Sequence, residues 1–242
     1  MIPKVIHYCW FGGNPLPKDA EKYIRTWRKF LPDYEIVRWD ETNFDVNSIP
    51  YTKEAYKAGK YAFVSDYARF WILYNYGGLY FDTDVEVIRP LDDIIHAGPF
   101  MGVEQQDDDL ITVAPGLCLG AEKNNDLFAE LIRYYSNASF LNADGSLCLT
   151  NVVEITTELL KRKQLMNIEG IQQCSGFKIY PKDYFCPKDY STGKLMITPN
   201  TRAIHHYAES WLPRSTKIKN AIGRVVGQDF LRVLVKIKGL IK

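Results

Sequence analysis

Ser65-Asp66-Tyr67-Ala68-Arg69-Phe70-Trp71-Ile72-Leu73-Tyr74-Asn75-Tyr76-Gly77-Gly78-Leu79-Tyr80-Phe81-Asp82-Thr83-Asp84 changes its hydrophobic period midway. Phe63, Tyr67, Phe70, Trp71 and Tyr74 fall three and four residues apart, which predicts a helix over 61–76. The glycine pair ends it, because glycine turns the backbone where a Cβ would clash. Leu79 to Phe81 then reads as a short strand. Two aspartates and a proline are poor central-strand residues, so the chain should leave the sheet between Asp82 and Pro90.

Outward from this stretch, elements alternate. Ile2 to Phe11 is an apolar run stopped by Gly12-Gly13-Asn14-Pro15, a buried strand followed by a loop. Tyr23, Ile24, Trp27 and Phe30 predict a helix over 18–30, closed by Leu31-Pro32-Asp33, and Tyr34 to Trp39 reads as a second strand. Later segments predict a strand at 112–119, helices at 126–135 and 152–162, and short strands at 177–180 and 203–206. The pattern is that of an α/β sandwich, whose ligands sit beyond the carboxyl ends of the strands. Gly12-Gly13 and Asp82-Thr83-Asp84 are natural site positions in such a fold.

The 242 residues suit one large domain, here 1–215, with an appendage at 216–242. Cys9, Cys118, Cys148, Cys174 and Cys186 are odd in number, scattered and never spaced as CxxC. That argues against a disulfide framework and a cysteine zinc site, and favours a reducing compartment. The amino terminus has no long apolar segment with a small-residue cleavage site, and nowhere do eighteen uncharged apolar residues run together. Placement in the cytoplasm is expected. The formal charge of +1 hides an asymmetry: residues 216–242 carry seven Lys/Arg and one Asp, leaving 23 positive and 28 negative side chains in the remainder.

Asp82 and Asp84, two residues apart just past a strand end, can point to one side and share a hard divalent cation, which takes oxygen ligands and bridges to phosphate. A DxD alone is also what a solvated turn looks like. Asp107 and Asp109 form a second one, and with polar neighbours and no strand to deliver them they read as a surface loop.

The spaced series SD..R, helix, GG.Y.D.D over residues 65–84 resembles the DxD-containing glycosyltransferase family. That family includes yeast Golgi initiating mannosyltransferases, bacterial capsular polysaccharide sugar transferases and the glucosyltransferase domains of large clostridial toxins. Every fixed position of the series matches. The resemblance extends to Ile6-His7-Tyr8-Cys9-Trp10-Phe11-Gly12-Gly13, similar to the family's IH..W.GG first strand, and to Ile204-His205-His206-Tyr207-Ala208-Glu209-Ser210-Trp211, similar to its closing IHH...SW element. It implies a GT-A-like, Rossmann-like mixed sheet flanked by helices. It also implies a retaining, divalent-metal-dependent transferase, using Mn²⁺ or Mg²⁺ to move a hexose from a nucleotide sugar.

Carried over residue by residue, the resemblance implies that Trp10 stacks on the nucleotide base, for which an indole face is suited; the alternative is that Trp10 fills the core. Asp66 and Arg69, i and i+3 on the helix, hold hydroxyls of the donor sugar, unless they are a plain surface ion pair. By the same resemblance Asp82 contacts ribose or sugar hydroxyls and, through water, the metal, and Asp84 binds the metal directly. A late histidine completes the metal shell. His206 is the expected ligand, with His205 on the opposite strand face as a structural partner. Tyr8, Tyr80, Ser210 and Trp211 join the donor-binding set, and His7 is expected to be structural. No carboxylate is marked as a covalent nucleophile, so front-face attack by the acceptor is preferred. Asn151 or Glu154 are candidates for a polar group below the sugar ring.

From Thr216 on, apolar residues recur at three- and four-residue intervals with Lys217, Lys219, Arg224, Arg232, Lys236 and Lys238 between them, a basic amphipathic helix. Such a helix can lie on an anionic bilayer, which would hold the enzyme at the cytoplasmic face, or pack on the catalytic domain. No nucleic-acid-binding module accompanies it. The leading expectation is a UDP-hexose-dependent transferase acting on a glycan, with a lipid-linked oligosaccharide of capsular or surface polysaccharide synthesis as acceptor. A toxin-like protein glycosyltransferase, a non-catalytic nucleotide-sugar binding module and a metal-dependent phosphohydrolase are the alternatives.

Overall fold

The structure, a computed structural model, describes residues 1–208. Its elements are β1 (Val5–Cys9), α1 (Lys18–Phe30), β2 (Glu35–Trp39), α2 (Pro50–Lys57), α3 (Tyr61–Tyr76), β3 (Gly78–Tyr80), β4 (Val85–Val87), α4 (Asp92–His96), β5 (Phe100–Gln106), β6 (Ile111–Ala114), β7 (Leu119–Ala121), α5 (Asp126–Ser136), α6 (Val152–Arg162), β8 (Gln172–Cys174), β9 (Phe177–Tyr180), α7 (Lys182–Phe185) and β10 (Ala203–His205). The main sheet runs β2-β1-β3-β7-β5-β9-β8, with β6 on β5. β1, β2, β3, β5 and β9 point one way and β6, β7 and β8 the other. The expected α/β class with a mixed, helix-flanked sheet is therefore the observed one. Residues 216–242, the expected basic helix, lie outside the described residues. No helix among the described residues is long and apolar enough to cross a membrane.

Strand alternation sorts side chains into two cores. Ile6, Tyr8, Leu79 and Phe81 face a layer that includes Ile24 and Trp27 of α1, Ile94 of α4 and Phe185 of α7. Cys9 and Tyr80 face the opposite layer with α2, α3, α5 and α6. Phe70, Ile72 and Leu73 of α3 are fully buried, which is why this helix is apolar on most sides.

The Gly77-Gly78 turn is where the sequence stretch does its structural work. Gly77 caps α3 at φ 65, its N–H donating to the Leu73 carbonyl, and Gly78 follows at φ 106. A Cβ on Gly78 would stand 2.6 Å from the Val5 carbonyl oxygen, so only glycine lets β3 lie this close to β1. Two glycines cost about 1 kcal/mol each in chain entropy. Burial of Leu79, Tyr80 and Phe81, all at most 1% exposed, outweighs that at about 2 kcal/mol per side chain. His7 locks the turn from β1: it donates to the Gly77 carbonyl through Nε2 (3.0 Å) and accepts the Trp39 indole N–H at Nδ1 (3.1 Å). A carbonyl only accepts and an indole only donates, so His7 is the neutral Nε2–H tautomer. Burial pushes its pKa down to about 4.

Two expectations change in detail. The segment 112–119 is not one strand: β6 and β7 are separated by Pro115-Gly116-Leu117-Cys118, and the Gly116 carbonyl accepts the Asp82 N–H (2.9 Å). The stretch after Asp82 leaves the main sheet as expected, yet Val85–Val87 pairs antiparallel with β10 in a second, two-stranded sheet. That pairing brings the late histidines to the aspartates.

Candidate active site

β1, β3, β5 and β9 end at one edge of the sheet, and the residues that follow them build the site. Asp84 sits in a turn closed by the Val85 N–H to the Asp82 carbonyl (3.1 Å). Its Oδ1 lies 3.3 Å from His205 Nε2, and its Oδ2 accepts the Ala208 N–H at 2.8 Å. Asp82, Asp84 and His205 each offer a donor atom, and these atoms lie within 4.8 Å of one another. Two carboxylates and an imidazole are a fitting set for Mn²⁺ or Mg²⁺, with positions left for phosphate oxygens.

His205, rather than the expected His206, meets the pair. His205 ends β10 and His206 follows it, and the two side chains take different partners. The turn at Thr83-Asp84 breaks alternation on the partner segment, so Asp84 turns toward His205. His206 instead pairs with Glu86 (2.8 Å) and stacks on Tyr23 at 4.4 Å.

Arg69 is the strut behind the pair. Its side chain is 4% exposed; Nη2 lies 2.9 Å from Asp66 Oδ1 and 3.4 Å from Asp82 Oδ1, and Nε donates to the Ser65 carbonyl. The guanidinium lies 4.9 Å from the Tyr80 ring centroid. Tyr80, expected among donor-binding residues, is 1% exposed and acts as a platform for Arg69. Asp66 and Arg69 form a buried ion pair, not a surface one. Gly116 closes the back: an added Cβ would collide with Asp82 Oδ2 and stand 2.7 Å from its Cγ and 3.0 Å from Arg69 Nη1. Sequence reading has no signal for Gly116, because its necessity comes from a carboxylate 34 positions away.

Charge at this edge is unbalanced toward the negative. Burial raises the pKa of Asp66 to about 7, against the attraction of Arg69 and the Val152 backbone N–H, and it raises Asp82 as well. For Asp84, burial is overcome by His205 and the Ala208 N–H, leaving its pKa at about 2. The Asp84 carboxylate holds the His205 imidazolium well above the usual histidine range, against burial. Glu104 of β5 is half-buried within electrostatic reach of His205, Asp82, Lys182 and Asp84, and burial raises it too. Sequence reading missed it.

Trp10 lines a cleft with Pro17, Asp19, Ala20, Tyr23, Thr83, Asp84 and Ala208. Its indole N–H donates to the Asn14 carbonyl at 2.7 Å, which fixes the ring. Gly12, at φ 95, donates its N–H to Glu41 Oε1. Trp10 is thus partly exposed beside Asp84 rather than a core filler. Tyr8 points elsewhere: it packs edge-on against Trp27 and walls a separate groove with Arg25 and Arg28. Asn151 caps α6, its side chain accepting the Val153 and Glu154 N–H groups and donating to Glu154 Oε1. Both Asn151 and Glu154 are thereby accounted for as a helix N-terminus. Ser210 and Trp211 lie outside the described residues.

Residues 17–101 match the family described as glycosyltransferase sugar-binding region containing DXD motif. The chain is 35% identical over 102 residues to inositol phosphoceramide mannosyltransferase 3 of Schizosaccharomyces pombe, covering 39% of this chain and 28% of that protein. It is 29% identical over 139 residues to an uncharacterized glycosyltransferase of Acanthamoeba polyphaga mimivirus, covering 55% of each. The chain thus spans from about a quarter to about half the length of these relatives. Among solved structures, the PaToxG glycosyltransferase superposes with a TM-score of 0.50 at 18% identity, covering 67% of this chain and 70% of that one, a likeness of fold. Residues 17–101, from the approach to α1 to the start of β5, are thus similar to the glycosyltransferase sugar-binding regions that contain the DXD motif.

Proposed function

We propose that this chain transfers a hexose from a nucleotide sugar to a glycan hydroxyl, with Asp82, Asp84 and His205 holding a divalent cation. The observation that carries the reading is the convergence of those three donor atoms within 4.8 Å at the mouth of the cleft lined by Trp10. When bound, Mn²⁺ or Mg²⁺ supplies Lewis-acid charge to the departing diphosphate. The protein's own part is preorganisation. Arg69 and Gly116 fix Asp82, the Ala208 N–H and His205 fix Asp84, and Trp10 offers its ring to the base. His205 ligates as the neutral imidazole, so loading releases its proton. Retention of anomeric configuration follows from the family resemblance. UDP-hexose is the first donor to test, and the mannosyltransferase relatives make GDP-mannose the second. A lipid-linked oligosaccharide acceptor in surface polysaccharide synthesis, met at an anionic cytoplasmic membrane face, completes the reading; anionic vesicles test residues 216–242.

Thermal unfolding with UDP-glucose, UDP-galactose and GDP-mannose, each with and without Mn²⁺, tests the reading, because a ligand of the folded state raises its apparent stability. One donor should stabilise the chain only when metal is present and should then be turned over. Donor affinity without turnover in acceptor extracts would mark a binding module, and phosphate release from simple phosphoesters would mark a phosphohydrolase. Either result overturns the proposal.

A further inference from the structure

Glu104 belongs to the same sheet edge as the aspartates and has no assigned task. Leu79 and Phe100 both pair with Gly120, so β3 and β5 are in step across β7, and Val103 comes level with Asp82. Two strand spacings, about 10 Å, separate the strands that deliver them. Val103 pairs with Val113 and Gln105 with Thr112, which leaves Glu104 as the extra residue of a β-bulge. Bulges at sheet ends re-aim a side chain, and at this one Glu104 lies within electrostatic reach of Asp82, Asp84, His205 and Tyr207. Among the described residues it makes no hydrogen bond or ion pair of its own. Asp84 also lines the Trp10 cleft, and Glu104 does not. The pair of aspartates therefore neighbours both a ring that fits a nucleobase and a half-buried carboxylate without a partner.

Resting on the transferase reading, we propose that Glu104 receives the acceptor: its carboxylate accepts a hydrogen bond from the attacking hydroxyl and sets that oxygen beside the donor sugar. A half-buried carboxylate with unfilled lone pairs is a strong acceptor for a sugar or polyol hydroxyl, and a structural role would have given it a donor. Water is the smallest such hydroxyl, so the test needs no known acceptor. Glu104→Ala and Glu104→Gln are compared with the unaltered chain for Mn²⁺-dependent hydrolysis of the donor selected above, and for thermal stabilisation by UDP or GDP with Mn²⁺. In Glu104→Ala, hydrolysis should fall about 100-fold, in line with loss of a positioned hydrogen bond to the nucleophile. Nucleotide stabilisation should stay within twofold in affinity, and Glu104→Gln, which keeps an acceptor oxygen, should retain more activity. Hydrolysis within twofold of the unaltered chain overturns the assignment, as does a parallel loss of nucleotide binding. If the unaltered chain binds no nucleotide with Mn²⁺, the transferase reading itself has failed and the inference falls with it.

Discussion

Two stretches of this chain read alike and fold into opposites. Asp82-Thr83-Asp84 follows a buried strand, leans on Arg69 and Gly116, and meets His205 from a distant strand. Asp107-Asp108-Asp109 is exposed, and Asp107 Oδ1 is used up on its own loop, accepting the Asp109 and Leu110 N–H groups at 3.1 and 3.0 Å. One pair has its backbone delivered and its carboxylates left to work; the other spends its carboxylate making a turn. The spacing of acids is therefore uninformative until the elements that aim them are known.

The sharpest way to break this comparison is to truncate one acid from each stretch. Asp84→Ala should lower metal-dependent turnover by about 10³-fold or more, whereas Asp107→Ala should leave it unchanged; equal losses in a donor-hydrolysis assay would erase the distinction. Next in size, Gly116→Ala removes only the support. Displacing Asp82 by a fraction of an ångström or more should cost about 100-fold in turnover, and an activity like that of the unaltered chain would show that the close fit does not matter. Trp10→Ala tests the neighbour that Asp107 lacks. Calorimetry should find donor affinity weaker by about 1–3 kcal/mol, with the catalytic rate at saturation little altered.

The smallest effect concerns delivery of the strand. His7 has a pKa of about 4 when folded and about 6.5 when unfolded. The unfolded state therefore binds more protons between these values, and stability rises with pH across that window. The term is present above pH 6.5 and lost on acidification, by about 1 kcal/mol between pH 6 and pH 5. Asp66, raised from 3.8 to about 7, acts in the opposite sense, since the folded state then holds the extra proton. Urea unfolding of the chain beside His7→Gln isolates the histidine: the difference should shrink as pH falls, and parallel curves would refute the lock on the Gly77 carbonyl.

Much of the fold was legible because it is local. The helix at 18–30 and the helix at 61–76 declare themselves by period and stop signals, and the double glycine announces β3. β5 was not legible: Phe100-Met101-Gly102-Val103-Glu104-Gln105-Gln106 neither alternates nor carries a turn signal, and its bulge exists only against β6. For the site, the motifs named Trp10, Asp66, Arg69, Asp82 and Asp84, and the structure brings these around one edge. What sequence misassigned depends on long-range geometry. His205 and His206 meet different partners, Asp84 and Glu86, and which one faces the aspartates is decided by the turn at Thr83-Asp84. Tyr8 and Tyr80 share motifs with site residues yet point into the layers on either face of the sheet, one residue of rotation away.

The central claim is that His205 joins Asp82 and Asp84 around a divalent cation. Titrating Mn²⁺ in the presence of UDP or GDP into His205→Ala and His206→Ala tests it most directly, read by calorimetry. The account predicts that His205→Ala weakens Mn²⁺ binding by at least 10-fold, while His206→Ala stays close to the unaltered chain. Loss of binding in His206→Ala with His205→Ala intact would contradict it.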